Sequence, residues 1–273
     1  MKHFGLIGHP LGHSFSKTYF TEKFEREGLD CEYENYDLED LTLGPALWTL
    51  LKGFNVTIPY KEAILPYLDE LDPVAAEVCA VNTVKVLPDG RLIGYNTDVI
   101  GLEESLGAML SRKGCQRKPM TPALVLGTGG ASKAVQYVLR KNGIPYHVVS
   151  RDPEKGDYIY PMAGASTSSN SGAAPAALTA QVLTPDVVSS HTLIINATPV
   201  GMAPHSDAAP AIPYEAITTG HLLFDLIYNP EETLFLMSGR ERGAQTMNGL
   251  AMLHAQAEAS WRIWMASEQS SPR

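Results

Sequence analysis

Cysteine is scarce in this chain of 273 residues, which contains three of them. Cys31, Cys79 and Cys115 lie far apart, and their spacing does not match that of metal ligands. A disulfide framework needs more cysteines than this, and a cysteine-based zinc site needs them in close pairs. The sequence therefore predicts reduced structural thiols and no metal site.

Long apolar runs are also missing from the sequence. No segment reaches the ~18 consecutive apolar residues that span a bilayer. The N-terminus lacks the charged and then apolar leader that is typical of a secreted protein. We therefore expect a cytoplasmic protein that does not enter a membrane.

Positively charged residues are fewer than acidic ones. The chain has 21 lysines and arginines against 30 acidic residues, which gives a net charge of −9. Nucleic acids and anionic membranes bind basic surfaces, so this balance argues against both as partners. A dense basic patch occurs at Arg112, Lys113, Arg117 and Lys118. We interpret it as part of a solvated linker, residues 111–122, between two domains.

Charged and aromatic side chains are absent from Pro161–Ala180, which consists mainly of alanine, serine, glycine and threonine. Such a segment offers almost nothing to bury in a core. We expect a flexible surface loop there.

Between residues 123 and 140 an apolar run changes into a helical pattern across a cluster of glycines. The run suits a strand buried on both faces, and Val135, Val138 and Leu139 recur at helical spacing. The turn between them, Gly127-Thr128-Gly129-Gly130-Ala131, would let the backbone approach a phosphate at the helix N-terminus. It predicts a pyrophosphate site, although a plain strand-to-helix turn of a doubly wound sheet has much the same sequence.

The next predicted strand ends in Ser150, Arg151 and Asp152. In a dinucleotide-binding fold the end of this strand meets the adenosine ribose. An arginine there receives the 2′-phosphate of NADP, whereas an acid accepts hydrogen bonds from the 2′-hydroxyl of NAD. Arg151 favours NADP, and Asp152 leaves NAD open.

Near the N-terminus, a predicted strand at residues 2–7 leads into a loop that contains Ser14 and Ser16. A helix follows and ends at Gly28. One serine would cap this helix through its hydroxyl, which is the usual role of serine at such a position. Two hydroxyls beside a helix N-terminus would also bind a carboxylate.

Two further candidate residues follow predicted strands. Lys61 opens a helix just past the strand at residues 53–59, and the ligand crevice of an open α/β sheet lies outside such strand ends. A lysine at a helix start is also commonly a solvated one.

Residues 79–87 and 91–95 form a predicted hairpin around an Asp-Gly turn. Asp98 follows the hairpin, where it either caps the next helix or takes part in catalysis.

The predicted fold is α/β, with antiparallel strands joining a sheet begun by strand-helix units in the first half. In the second half, further strands are predicted at residues 191–199 and 222–230. Residues 233–242 and 249–264 are the predicted closing helices.

Several blocks of the sequence, taken in order, make the chain resemble the shikimate dehydrogenase family along almost its whole length. The blocks are Gly8–Ser16, Asn55–Lys61, Ala80–Thr83, Gly94–Asp98, Gly127–Ala131, Ser150-Arg151, Asn196–Met202, Asp225–Pro230 and Gly249–Ala257. The resemblance implies two domains. Residues 1–98, completed by C-terminal helices at 243–273, would bind the substrate, and residues 99–242 would form a Rossmann-like domain that binds NADP.

The resemblance also implies a reaction and a set of site residues. The reaction is reversible hydride transfer between NADP(H) and the 3-position of shikimate or 3-dehydroshikimate. Lys61 and Asp98 match the catalytic pair of the family. The positions that match its substrate-binding residues are Ser14, Ser16, Thr57, Asn82, Tyr228 and Gln256. Those that match its cofactor-binding residues are Gly127, Thr128, Gly129, Gly130, Ala131, Ser150, Arg151, Leu226 and Gly249.

The sequence departs from the family pattern at Lys17, where members commonly have proline; this adds a positive charge near the expected carboxylate site. The family includes monomers and dimers, so a monomer or a homodimer is expected. Two alternatives stay open: a quinate/shikimate dehydrogenase that uses NAD, and a relative that binds a ligand without catalysis. The presence of both Lys61 and Asp98 favours an enzyme.

Overall fold

The computed structural model describes residues 1–12, 14–111, 121–161 and 181–266. The basic patch at residues 112–118, Cys115 and all of the predicted surface loop except Pro161 lie outside the described residues. The chain divides into two compact units, one formed by Met1–Gly101 with Leu253–Arg273 and the other by Leu102–Met252.

The first unit is built on a mixed sheet, which in the described residues has six strands in the order β2-β1-β3-β5-β6-β4. Only β5 runs against its neighbours among these strands. The strands are β1 (Lys2–Gly8), β2 (Cys31–Asp37), β3 (Gly53–Val56), β4 (Glu70–Leu71), β5 (Thr83–Val86) and β6 (Leu92–Tyr95). The helices are α1 (Phe15–Glu27), α2 (Gly44–Trp48), α3 (Tyr60–Ala63) and α4 (Pro73–Val78).

The local sequence accounts for most of these elements. Ser14 caps α1, and Gly28 ends it in the left-handed conformation at φ 61°, which confirms the predicted helix. Strands β5 and β6 form the predicted antiparallel hairpin, with Gly90 at φ 89° in its turn. The predicted start of the hairpin at Cys79 is wrong, because Cys79 is the left-handed residue that ends α4.

The second unit is built on a parallel sheet, whose seven strands in the described residues have the order β10-β9-β8-β7-β11-β12-β13. They are β7 (Ala123–Leu126), β8 (Tyr146–Ser150), β9 (Tyr158–Ile159), β10 (Gln181–Val182), β11 (Leu193–Asn196), β12 (Leu222–Asp225) and β13 (Gln245–Met247). The helices are α6 (Gly130–Lys141), α7 (Pro185–Ser189) and α8 (Leu234–Arg240). Helices α5 (Asp98–Leu110) and α9 (Leu250–Met265) contribute residues to both units.

The strand order of the second unit reverses at β7. From β7 the chain adds β8, β9 and β10 on one side and then returns to place β11 on the other. In parallel sheets of this kind a ligand binds beyond the carboxyl ends of the two strands at the reversal. The predicted glycine turn follows β7 directly, so it lies at this position.

Each unit has its own core. In the second, Leu124, Leu126 and Ile194 of the central strands pack with Phe235 of α8. In the first, one cluster includes Ile7, Phe54 and Trp48, and a second joins β1 and α1 to Trp264 of α9. No helix in the described ranges has the length and apolar composition needed to cross a bilayer.

Candidate active site

The ammonium of Lys61 forms an ion pair with the carboxylate of Asp98. Lys61 Nζ lies 2.6 Å from Asp98 Oδ2, and the two side chains are 18% and 7% exposed. The interpretation of Lys61 as an ordinary solvated lysine is therefore wrong. A largely buried cation held by a carboxylate can stabilise negative charge on a reacting oxygen and can exchange a proton with it.

The sheet of the first unit explains how residues 37 positions apart come together. Strands β3 and β6 are both antiparallel to β5, so they run in the same direction and their carboxyl ends lie at the same edge. Lys61 lies on α3 just after β3, and Asp98 follows β6 by three residues. Thr57, which is predicted to bind substrate, is the residue immediately after β3.

Asp98 does not cap a helix. It is the first residue of α5, and the Asn96 side chain instead accepts a hydrogen bond from the backbone N–H of Val99 at 3.3 Å. Both carboxylate oxygens of Asp98 have side-chain partners, since Oδ1 accepts from Asn82 Nδ2 at 2.9 Å and Oδ2 from Lys61. Of the two interpretations of Asp98, the structure rules out capping.

Asn82 and Gln256 join the pair in one buried group. Asn82 Nδ2 lies 3.4 Å from Gln256 Oε1, and the Thr97 hydroxyl donates to the same oxygen at 3.4 Å. Asn82 follows α4 and directly precedes β5, whereas Gln256 comes from α9. The structure thus brings together four of the predicted site residues in the first unit: Lys61, Asp98, Asn82 and Gln256.

The two serines of the N-terminal loop have different surroundings. Ser14 caps α1, its hydroxyl accepting from the backbone N–H of Lys17 at 3.3 Å, which confirms the capping interpretation for this serine. Ser16 is buried in the first turn of α1. The ammonium of Lys17 is paired with Glu34 at 2.5 Å, so its charge is partly neutralised.

In the second unit, the glycine turn has the close backbone packing that its sequence predicts. Gly127 has φ 107°, and a Cβ there would lie 2.9 Å from the Thr198 methyl group. The Ser132 hydroxyl donates to the Gly127 carbonyl at 2.6 Å and holds the turn against the helix; Ser132 is not among the site residues predicted from the sequence.

Helix α6 begins at Gly130 without a side-chain cap, and a Cβ at Gly129 would meet nothing within 4 Å. The first N–H groups of the helix, from Gly130 and Ala131 onward, therefore donate no hydrogen bond to a capping side chain. Thr128 lies between Gly127 and Gly129 in the same turn. The turn fits a pyrophosphate group.

Beyond β8, Asp152 is engaged locally whereas Arg151 is exposed. The backbone N–H of Asp152 donates to Ser150 Oγ at 3.0 Å, and its carboxylate accepts from the N–H of Glu154 at 3.0 Å. Lys155 Nζ lies 3.4 Å from the same carboxylate. Burial raises the pKa of the Tyr160 phenol to about 12, and the positive charge of Arg151 opposes part of this rise.

Leu226 and Gly249 meet in the same unit. A Cβ at Gly249 would lie 2.1 Å from the Leu226 carbonyl oxygen, so only glycine allows this approach. The N–H of Gly249 donates to the Ile227 carbonyl at 2.9 Å. Tyr228, predicted to contact the substrate, follows in the same loop and is half-buried.

Asp225, at the end of β12, is a fully buried carboxylate that accepts hydrogen bonds from three uncharged groups. It accepts from Asn196 Nδ2 at 3.0 Å, from the Ile227 N–H at 3.0 Å and from the Thr233 hydroxyl at 2.6 Å. Burial raises the pKa of Asp225 from 3.8 to about 6, because these bonds offset only part of the loss of water. Asp225 thus fixes the backbone beside Leu226 at a cost in stability when it is ionised.

Replacing Asp225 with asparagine should change the pH dependence of stability. Because the pKa of Asp225 is raised in the folded state, the stabilising contribution of its carboxyl group is fully present below about pH 4. This contribution is lost as pH rises through about 6. Between pH 4 and 7.5, the free energy of unfolding of Asp225→Asn should rise relative to wild type by up to about 3 kcal/mol. Urea denaturation of both proteins at the two pH values measures this difference, and a difference independent of pH would contradict it.

Comparisons with known proteins agree with this geometry. Residues 6–84 match the model of the shikimate dehydrogenase substrate binding domain. A shikimate dehydrogenase (NADP(+)) of Methanococcus maripaludis is 37% identical over 268 residues, which cover 95% of this chain and 90% of that protein.

Two solved structures extend the comparison. The shikimate 5-dehydrogenase of Thermus thermophilus, in complex with NADP(H) and shikimate, is 32% identical with a TM-score of 0.78 and covers 97% of this chain and 94% of its own. The quinate dehydrogenase of Corynebacterium glutamicum, in complex with NAD, is 28% identical with a TM-score of 0.77. The match covers 98% of this chain and 94% of the quinate dehydrogenase chain. The predicted fold is confirmed, and this chain belongs to the shikimate dehydrogenase family.

Proposed function

We propose that this protein catalyses the reversible NADP(H)-dependent reduction of 3-dehydroshikimate to shikimate. The observation that carries the proposal is the pairing of Lys61 with Asp98 at 2.6 Å beside Asn82 and Gln256. The names of the relatives support it, because the Methanococcus maripaludis protein is a shikimate dehydrogenase (NADP(+)) and the Thermus thermophilus structure contains NADP(H) and shikimate.

The proposed chemistry of Lys61 follows from its position. When hydride reaches a ketone carbon, negative charge develops on the ketone oxygen. The ammonium of Lys61 stabilises that charge and transfers a proton from Nζ to the oxygen. In the oxidising direction, Nζ takes the proton back from the hydroxyl group. Asp98 keeps the ammonium in place through Oδ2, while Asn82 fixes the carboxylate through Oδ1.

The proposed substrate-binding residues are those that the sequence predicts. Ser14 and Ser16 would hold the substrate carboxylate, and Thr57, Asn82 and Gln256 would bond the ring hydroxyls. For Tyr228, the proposal rests on the family resemblance alone. We assign substrate binding to residues 1–98 with 243–273, as predicted, which agrees with the match of residues 6–84 to the family's substrate binding domain.

The proposed cofactor is NADP, held by the second unit, residues 99–242 in the predicted division. The open helix start after Gly127–Ala131 would bind the pyrophosphate, and Ser150 and Arg151 would meet the 2′-phosphate. Leu226 and Gly249 would line the nicotinamide side, where glycine allows the backbone to come close. When bound, NADPH supplies the hydride and NADP⁺ accepts it.

The test is the rate of change in nicotinamide absorbance when the purified protein meets shikimate and NADP⁺. NAD⁺ and quinate are then substituted in turn. We expect the first combination to exceed the others by orders of magnitude in kcat/KM. A higher rate with quinate and NAD⁺ would favour the quinate alternative, and tight binding without turnover would favour a non-catalytic relative. The cytoplasmic location and the monomeric or homodimeric state stay predictions.

A further inference from the structure

A buried polar cluster lies behind Asp98 in the first unit. Its members are Tyr33, Asn55, Asn82, Thr83, Thr97 and Ser260, all of which are buried. A buried polar group costs free energy unless it is hydrogen-bonded, so a sequence selected for stability alone would favour apolar residues here. Each of these side chains has a partner in the cluster.

Two backbone groups fix the direction of the amides in this cluster. The Thr97 N–H can only donate, and it donates to Asn82 Oδ1 at 2.7 Å, which turns Asn82 Nδ2 toward Asp98. The main-chain carbonyl of Asn82 can only accept, and it accepts from Asn55 Nδ2 at 3.1 Å. Asn55 Oδ1 must therefore face Tyr33, whose hydroxyl donates to it at 2.8 Å.

Asn55 also reaches the side chain of Asn82 through Thr83. Asn55 Nδ2 donates to the Thr83 hydroxyl at 3.0 Å, and that hydroxyl donates to Asn82 Oδ1 at 3.2 Å. Hydrogen bonds thus run from Tyr33 through Asn55 and Thr83 to the Asn82 amide, and from that amide through Asp98 to Lys61.

We propose that Tyr33 and Asn55 are positioning residues. Together with the Thr97 N–H, they act through Thr83 and the main-chain carbonyl of Asn82 to hold the Asn82 amide in the orientation that directs its N–H to Asp98 and so keeps Lys61 in place. The inference rests on the proposed function, because it concerns the same reaction. Through these hydrogen bonds, Tyr33 and Asn55 reach the proposed substrate-binding residues at Asn82. Their contribution should therefore appear in the chemical step rather than in substrate affinity.

The test is Tyr33→Phe, which removes one hydroxyl and keeps the ring that stacks on Phe20 at 4.7 Å between centroids. With shikimate and NADP⁺, kcat should fall roughly tenfold, the effect of one orienting hydrogen bond, with KM for shikimate changed less than twofold. The matched control is Tyr60→Phe, because the buried hydroxyl of Tyr60 in the same unit bonds to the Leu38 carbonyl instead. Its kcat should stay at the wild-type value.

Each outcome separates the inference from its alternatives. An unchanged kcat in Tyr33→Phe, or an equal loss in Tyr60→Phe, would overturn the positioning role. A rise in KM alone would assign the effect to substrate binding and overturn the positioning role as well. If Tyr33→Phe does not fold, Ser260→Ala removes another partner of the Asn55 amide, at 3.0 Å from Nδ2, and a roughly threefold loss in kcat is expected. A wild-type protein without any rate would overturn the proposed function itself.

Discussion

Replacing Lys61 with alanine is expected to lower kcat by about 10²- to 10⁴-fold, the range that a placed general acid contributes, while KM for shikimate changes far less. The ammonium acts on charge that develops only in the transition state, so its loss affects the chemical step more than binding. Steady-state rates with varied shikimate at saturating NADP⁺ measure both constants.

The loss of Lys61 also leaves the buried Asp98 carboxylate without its cation, which lowers stability. Rates are therefore compared at a temperature at which the variant is folded, as judged by its melting curve. Lys52→Ala is the matched control, because Lys52 is an exposed lysine just before β3 in the same unit. An unchanged kcat in Lys61→Ala would remove Lys61 from the chemistry and leave Asp98 as a structural partner only.

The positions of the site residues could be predicted because they follow strand ends. Lys61 and Asp98 follow β3 and β6, and the glycine turn follows β7, and each strand is marked by an apolar run. Parallel strands bring their carboxyl ends to one edge whatever lies between them in the sequence. The hairpin was equally predictable, since Asp89-Gly90 specifies a turn locally.

What could not be predicted are the features that depend on tertiary contacts. Strand β4 has only two residues, too few for any periodic pattern, and it forms because Glu70 and Leu71 pair with β6. Asparagine and aspartate both cap helices, so the sequence does not decide between Asn96 and Asp98. The structure does, because Lys61 and Asn82 bind the Asp98 carboxylate and the Asn96 side chain accepts from the helix N–H of Val99.

Two buried carboxylates in the described part of the chain illustrate the same point. Asp98 and Asp225 each follow or end a strand, and each accepts a hydrogen bond from an asparagine. Asp98 is paired with a lysine, whereas the recorded partners of Asp225 are uncharged. Burial therefore raises the pKa of Asp225 to about 6 and makes it a residue that holds the loop after β12. The sequence marks both positions as polar strand ends and cannot tell these roles apart.

Replacing Arg151 with alanine is expected to reduce kcat/KM for NADP⁺ by about 10- to 100-fold, which corresponds to a charge-assisted bond of roughly 1.5–3 kcal/mol. The rate with NAD⁺ should stay nearly the same, because NAD⁺ has no 2′-phosphate for the guanidinium to bind. The exposed position of Arg151 just after β8 allows the change without loss of packing. Kinetics with both cofactors at fixed shikimate measure the ratio.

Asp152→Asn provides the opposite control, because it removes the negative charge and retains an oxygen that can accept from the Glu154 N–H. If Asp152 accepted hydrogen bonds from the ribose, this variant would lower kcat/KM for NAD⁺ and raise it for NADP⁺. We expect no such change larger than about twofold, since the carboxylate is occupied by Glu154 and Lys155 and an exposed ion pair contributes little. If the ratio of kcat/KM for NADP⁺ and NAD⁺ changed in Asp152→Asn and not in the Arg151 variant, the assignment of the ribose pocket would be reversed and NAD would again be a candidate cofactor.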